Sequence, residues 1–403
     1  MRETLPTSVT PETKGRNTEY TQSLKRGLRE YGLVVSLVII MGFFQVSTNG
    51  TLMQPLNLTN LVLQNSYIVI MALGMLMVIV AGQIDLSVGS TSGFIGALAA
   101  LLMVQWNFDP VLGTLICVAA GALIGAAQGY FVAFWRMPSF IVTLAGMLVF
   151  RGLTITLLQG QSIGPFPDVF AIVSSGFIPD FFNGQHLRIT SLLLGLLVGL
   201  AFFYIESRQR SKAAKHGVDS GSFGMFIAKN VVLTAFIVYF SYLLASYRGM
   251  PTVLMIMGVL IGAYTFVMNR TTIGRRIYAV GGNVKAAKLS GVNTERISFY
   301  AFVNMGILAA LAGLIFAARL NSATPKAGTG FELDVIAACF IGGASASGGV
   351  GKVMGAVIGA FIMGVMNNGM SIMGIGIDYQ QVIKGLVLLA AVFIDVYNKN
   401  KIG

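Results

Sequence analysis

About twelve times between residues 31 and 397 the chain runs apolar for nearly the length that carries an α-helix across a bilayer. The runs fall near 31–48, 64–82, 87–104, 111–134, 139–159, 188–205, 229–247, 251–268, 297–318, 333–348, 353–371 and 381–397. Hydrocarbon offers no partner for a backbone N–H or C=O, so a single segment of this kind can cross only as a helix. The fold class that follows is all-α: a polytopic helical membrane protein with about 10–12 transmembrane helices. Charged residues make up only 10% of the chain, against about 25% in an ordinary soluble domain, too few to cover a water-facing surface. The run at 333–348 is short and ends in "IGGASASGGVGK", which reads as a broken or re-entrant helix. The first run follows a polar tail, 1–30, and no small-residue cleavage site closes it, so it reads as an uncleaved first span.

The net charge of +12 invites a nucleic-acid reading, but the basic residues gather in loops on alternate sides of the runs. Six lie in the tail (Arg2, Lys14, Arg16, Lys25, Arg26, Arg29), and four in the loop 206–228 (Arg208, Arg210, Lys212, Lys215). Six more lie in the loop 269–296 (Arg270, Arg275, Arg276, Lys285, Lys288, Arg296). The segments 49–60, 105–110, 160–187 and 372–380 have none, which puts both termini in the cytoplasm, including the short tail 398–403. Arg188, Arg248, Arg319 and Lys326 depart from this pattern at outer ends. The longest outer loop, 160–187, is rich in Pro, Gly and Phe and either caps the helices or helps dock an extracytoplasmic partner.

Within 269–296 the stretch "YAVGGNVKAAKLSGVN" interrupts the apolar pattern and reads as a handle gripped by a soluble partner. Asn283 is suited to cap the first turn of a short helix, and Gly291 to end it in the left-handed region. Lys285 and Lys288 share a face, Ala286 and Ala287 leave room for close approach, and Leu289 offers an apolar knob. The alternative is an amphipathic helix lying on the membrane surface. Two glycine-rich stretches, "GQIDLSVGSTSGFIGA" and "FIGGASASGGVGKVMGAVIGA", each join one apolar run to the next, a faint internal symmetry of the kind transporters show.

Polar residues inside the runs are the candidates for a pathway. Gln128, Asn367 and Asn368 could line one by hydrogen bonding a neutral polyol, and could equally tie helices together. Glu332 and Asp334 stand at a membrane edge, and Asp85 with Ser87 lies just beyond a span where it can cap the next helix; these four read as gating or structural groups. Cys117 and Cys339 read as core residues, the methionines as packing, and Gly121 with Gly125 as a small-residue seam for close helix approach. His186 and His216 lie in or beside loops without a second ligand at useful spacing, so no metal site is expected, and no catalytic constellation is visible.

The stretch "GRRIYAVGGNVKAAKLSGV" resembles the coupling-loop signature of ribose- and xylose-type sugar permeases of ATP-binding cassette importers. "AGQIDLSVGS", "ARLNSATPKAGTGFELDVIAACFIGGASASGGVGKVMGAVIGAFIMGVMNNG" and "DYQQVIKGLVLLAAVFID" resemble the same family, in family order across residues 50–397. The chain departs at about 206–250, where an added basic loop and two further spans resemble the xylose and multiple-sugar branch. The resemblance implies an importer permease fold and a homodimer of permease subunits in a bacterial inner membrane, in contact with lipid. It implies cytoplasmic ATPase subunits docked at Gly281, Gly282, Asn283, Ala286, Ala287, Ser290 and Gly291, and a periplasmic sugar-binding protein that delivers substrate. ATP would be bound by the partner, since no GxxxxGK[ST] motif occurs in the chain, which is expected to need no cofactor of its own. A self-sufficient secondary transporter and an intramembrane enzyme are the readings from other classes. The first needs carboxylates deep in the membrane, the second a catalytic motif.

Overall fold

The computed structural model describes residues 32–182, 184, 187–215 and 223–400. The tail 1–30 with its six basic residues, both histidines, most of the loop joining the added pair of spans, and residues 401–403 lie outside the described residues.

Ten helices among the described residues are long and apolar enough to cross a membrane. In chain order the helices are α1 (Gly32–Ser47), α2 (Pro55–Val80), α3 (Val88–Ala100, running into a π turn at Leu101–Gln105), α4 (Pro110–Ala133) and α5 (Ser139–Leu158). There follow α6 (Asp168–Ser175), α7 (Ile189–Lys215), α8 (Phe223–Ala245), α9 (Thr252–Arg270), α10 (Thr272–Gly282) and α11 (Val284–Leu289). The last four are α12 (Thr294–Leu320), α13 (Phe331–Ile341), α14 (Val353–Ile372) and α15 (Ile377–Asn400). The twelve runs therefore resolve into ten span-length helices, a shorter α1 and a half-length α13. Sequence punctuation sets several starts: Pro55 and Pro110 occupy first turns, where their missing N–H is no loss, and Asp109 accepts from Val111 N and Leu112 N.

α2, α3, α12 and α14 are mostly buried and form the centre, while α4, α5, α7, α8, α9 and α15 present long apolar faces outward. The most extensive pairing is α12 on α4, and it is a glycine seam. A Cβ on Gly125 would stand 2.3 Å from the Phe302 carbonyl oxygen, and one on Gly121 would stand 2.5 Å from that of Gly306. Backbones this close leave no room for a side chain. Gly125→Leu is expected to force α4 off α12, visible as loss of the monodisperse detergent-solubilised protein on size exclusion. An equivalent change at Gly152, which has open space around it, should leave the profile unchanged.

The segment 321–330 folds inward instead of staying at the surface. Ala327 and Gly328 lie against Gly93 and Gly89 of α3, where an added Cβ on Gly328 would meet the Gly89 carbonyl oxygen at 1.9 Å. Gly330, at φ +79°, makes the left-handed turn into α13. The Phe331 ring stacks on Tyr67, with centroids 4.3 Å apart, and Tyr67 is halfway along the 26 residues of α2. α13 thus begins near half depth. Glu332 and Asp334, expected at a membrane edge, are instead inside the bundle, 8% and 4% exposed. The edge expectation took the start of this run as lying at the membrane boundary; the inward fold of 321–330 moves the helix start to mid-bundle.

The added length forms the hairpin α7–α8, clasped by Glu206, which accepts from Lys229 at 2.5 Å and Asn230 at 2.7 Å. The segment 176–180 ahead of α7 is pinned rather than loose. Ile178 N donates to Met250 O and Thr252 N to Gly176 O, and Asp180 accepts from both Thr190 N and Thr190 Oγ1. Those hydrogen bonds from Thr190, with further ones from Gly184 and Phe182, hold the Asp180 carboxyl well below the usual range.

Candidate functional site: an exposed capped helix and a polar cavity

Three asparagine and threonine caps in succession shape the segment between α9 and α12. Thr271 accepts from Gly274 N, Asn283 Oδ1 from Ala286 N at 3.0 Å, and Asn293 Oδ1 from Arg296 N at 2.9 Å. α10 is an additional element here: the basic stretch before Asn283 is itself a helix. α11 ends in a Schellman motif, with Gly291 N donating to Lys288 O and Val292 N to Ala287 O, and Gly291 at φ +81°. The caps make a six-residue helix that would be marginal alone into a fixed feature.

Burial divides the segment. Ala287 is 5% exposed and faces the chain's own core with Ile277 and Val280. Gly282, Asn283, Ala286, Ser290 and Gly291 are exposed, as are Lys285 and Lys288, and Leu289 is 90% exposed. Lys288 pairs with Glu295 at 3.0 Å. Gly281 faces inward: a Cβ there would stand 1.6 Å from the Val80 carbonyl oxygen at the end of α2 and 2.6 Å from Gly349 N. Gly349 N donates to Val80 O at 2.9 Å, and Tyr278 Oη donates to Gly351 O at 2.6 Å. Burial raises the Tyr278 phenol. The glycine-rich stretches that carry the faint internal symmetry thus meet at the last turn of α10, joining it to α2 on one side and to the start of α14 on the other.

At the opposite half of the bundle a cavity of about 190 Å³ opens between α2, α12 and α14, lined by Gln64, Asn65, Tyr67, Arg319 and Asn367 among others. Asn367 Nδ2 donates to Asp334 at 3.2 Å, and Lys384 of α15 stands 3.0 Å from the same carboxylate. A buried charge needs such a partner.

The other candidates stand elsewhere. Asn368 makes a reciprocal pair with Asn57, at 2.9 and 3.1 Å, fastening α14 to α2. Gln128 is bonded to the Ser87 hydroxyl, which donates to Asp85, whose carboxylate also accepts from Ser87 N at 2.8 Å. This chain of bonds locks the entry of α3 to α4, away from the cavity. Glu332 lies against Gly89 at the first turn of α3, with one carboxylate oxygen unpartnered.

Sequence reasoning placed Asn367 among the lining candidates and passed over Gln64, Asn65 and Tyr67. These sit in a long apolar run beside no motif. Arg319 and Lys384 did leave a signal, as basic residues out of place at an outer end and within the last span.

A protein-family profile described as the permease component of a branched-chain amino acid transport system matches residues 57–208 and 169–392. The xylose transport system permease protein XylH of Haemophilus influenzae is 38% identical over 374 residues, 93% of this chain and 98% of that protein. Its Escherichia coli K12 counterpart is also 38% identical, and the ribose import permease protein RbsC of the same organism is 34% identical over 91% of this chain and 94% of its own length. No solved structure matches at a significant level. With its bundle of span-length helices and this likeness along almost the whole chain, the protein belongs to the permease-component family that includes the xylose and ribose permease proteins.

Proposed function

We propose that the chain is the membrane-spanning permease subunit of an ATP-driven, binding-protein-dependent monosaccharide importer of the xylose or multiple-sugar type. The observation that carries this is α11: a capped helix with an exposed apolar knob, carried directly after α10, which is joined to the end of α2 and the start of α14, in a chain whose relatives are sugar permeases over more than nine-tenths of their length. In this reading α11 receives a cytoplasmic ATPase, which binds and hydrolyses ATP. The chain passes substrate and performs no chemistry. The positive loops set the α11 end and both termini in the cytoplasm of a bacterial inner membrane. On the outer face a sugar-binding protein delivers substrate near the pinned segment 176–180, where Arg188 and Arg248 line an open groove with Phe177. Two copies of the chain, in lipid, complete the pathway.

One observation favours a secondary transporter: Asp334, Lys384 and Glu332 are ionisable groups inside the bundle. The two readings separate in proteoliposomes holding the chain, the candidate ATPase and the binding protein. Sugar accumulation is expected to require ATP hydrolysis and to survive collapse of ion gradients by ionophores. Accumulation by the chain alone, driven by an ion gradient, overturns the importer reading.

A further inference from the structure

We propose that the inner end of the α7–α8 hairpin is a binding site for an anionic glycerophospholipid. Its phosphate lies on Arg208, Lys212 and Lys215, and its acyl chain runs along Leu197, Leu200 and Tyr204 of the same helix face. The site stands whether or not the chain is a permease subunit.

α7 has two sides. A Cβ on Gly195 would meet Ser241 Oγ of α8 at 2.0 Å, one on Gly199 would meet Thr234 Cγ2 at 2.8 Å, and Glu206 accepts from Lys229 and Asn230. At about 100° per residue, positions 195, 199 and 206 fall on one side of the helix, the side that packs on α8. Arg210 is on that side too, with its guanidinium over the Phe223 and Phe226 rings. About half a turn round, Leu197, Leu200, Tyr204, Arg208, Lys212 and Lys215 follow one another along the axis, and all are exposed. The Arg208 guanidinium lies 5.4 Å from the centroid of the Tyr204 ring, which ties the apolar part of the face to the basic part. Glu206, the one acid of α7, is turned toward α8. Among the described residues no carboxylate pairs with Arg208, Lys212 or Lys215.

Depth matches charge. The hairpin is rooted at its other end, where Arg188 N donates to Ala245 O, Met250 N donates to Ser191 Oγ, and Leu243, Leu244 and Ala245 are buried. Counted from Ile189, Tyr204 is about 22 Å along α7, Arg208 about 28 Å and Lys215 about 39 Å. Hydrocarbon is about 30 Å thick, so Leu197 and Leu200 lie among acyl chains, Tyr204 nears the interface, and the three cations continue into the headgroup layer. Basic residues just beyond a lipid-facing span attract anionic headgroups. A second copy of the chain in the same membrane would set its own three cations at the same level, like against like. An acidic soluble partner would meet the cations and leave Leu197 and Leu200 uncovered.

Native mass spectrometry of the detergent-solubilised full chain, titrated with dioleoylphosphatidylglycerol or dioleoylphosphatidylcholine, reads the affinity for the first lipid bound. Phosphatidylglycerol is expected to bind roughly tenfold more tightly, and its advantage to shrink as salt rises. Arg208→Gln, Lys212→Gln and Lys215→Gln together should weaken phosphatidylglycerol about a hundredfold and Lys212→Gln alone about fivefold, with phosphatidylcholine unchanged. The single variant keeps the test open if the triple variant inserts poorly. Arg275→Gln, Arg276→Gln and Arg296→Gln together remove the same charge from other exposed positions and should shift phosphatidylglycerol less than about twofold. Equal affinity of the wild-type chain for the two lipids overturns the site, as does an equal loss in the two triple variants. Displacement of phosphatidylglycerol by millimolar glycerol 3-phosphate overturns the lipid as occupant, because a free anion has no acyl chain to lay on Leu197 and Leu200. So does a stripe variant that keeps phosphatidylglycerol but no longer co-purifies with the ATPase.

Discussion

Leu289→Arg is expected to abolish complex formation with the ATPase and ATP-driven uptake, while insertion, elution profile and unfolding temperature stay at wild-type values. The side chain is 90% exposed and touches almost nothing of its own protein, so folding has little reason to notice the change. A docked partner would. An apolar knob on a rigid, capped helix is the form of contact that dominates an interface, and truncation of such an anchor costs about 2–4 kcal/mol, roughly 30- to 1,000-fold in affinity. A buried, unpaired arginine adds to this. Ala286→Arg, on the same exposed face, should act in the same direction. Co-purification with the ATPase and uptake in proteoliposomes check both. A Leu289→Arg chain that still pulls down its ATPase at wild-type yield removes α11 as the docking element. Ala287 is the wrong position for this question: at 5% exposure an arginine there unseats α11 from its own core, and a loss of uptake would say nothing about docking.

The second large effect is expected at Gly281. Gly281→Val places a branched side chain where a single carbon already collides with Val80 O and Gly349 N. Neither is a flexible side-chain tip that could swing away; both are backbone. Overpacking of this kind costs about 1–3 kcal/mol or more, and here relief requires α10 to separate from α2 or from the 348–351 turn. The variant should unfold at lower temperature, and the ATPase assembled on whatever folds should hydrolyse ATP without sugar being moved. Gly282→Val, one residue on with open space around it, is the control for the fold. Equal uptake and stability in the Gly281 and Gly282 variants would show that the junction is compliant.

Much of this architecture is legible in the sequence because the bilayer imposes one rule on every run. The cap at Asn283 and the left-handed residue at Gly291 are equally legible, since local chemistry alone decides them. What the sequence conceals depends on depth and facing. Glu332 and Asp334 read as edge residues until the inward fold of 321–330 moves the start of α13 halfway along α2. Asn367 and Asn368 are indistinguishable as letters. A turn of about 100° between neighbours sends one to the cavity and the other to Asn57. Ala286 and Ala287 divide the same way between outside and core. Gln128 looks like a pathway residue in an apolar run, yet its partner Ser87 lies 41 positions away in sequence.

The helices that meet α10 at the glycine junction are two of the three that wall the cavity. Val80 and Asn65 ride on one unbroken helix, and the start of α14 carries Gly364 and Asn367 at its far end. Fifteen residues of α2, about 22 Å of rod, connect the contact with α10 to Asn65 at the cavity. A displacement of α10 would therefore reach both of those walls at once, through the last turn of one helix and the first turn of the other.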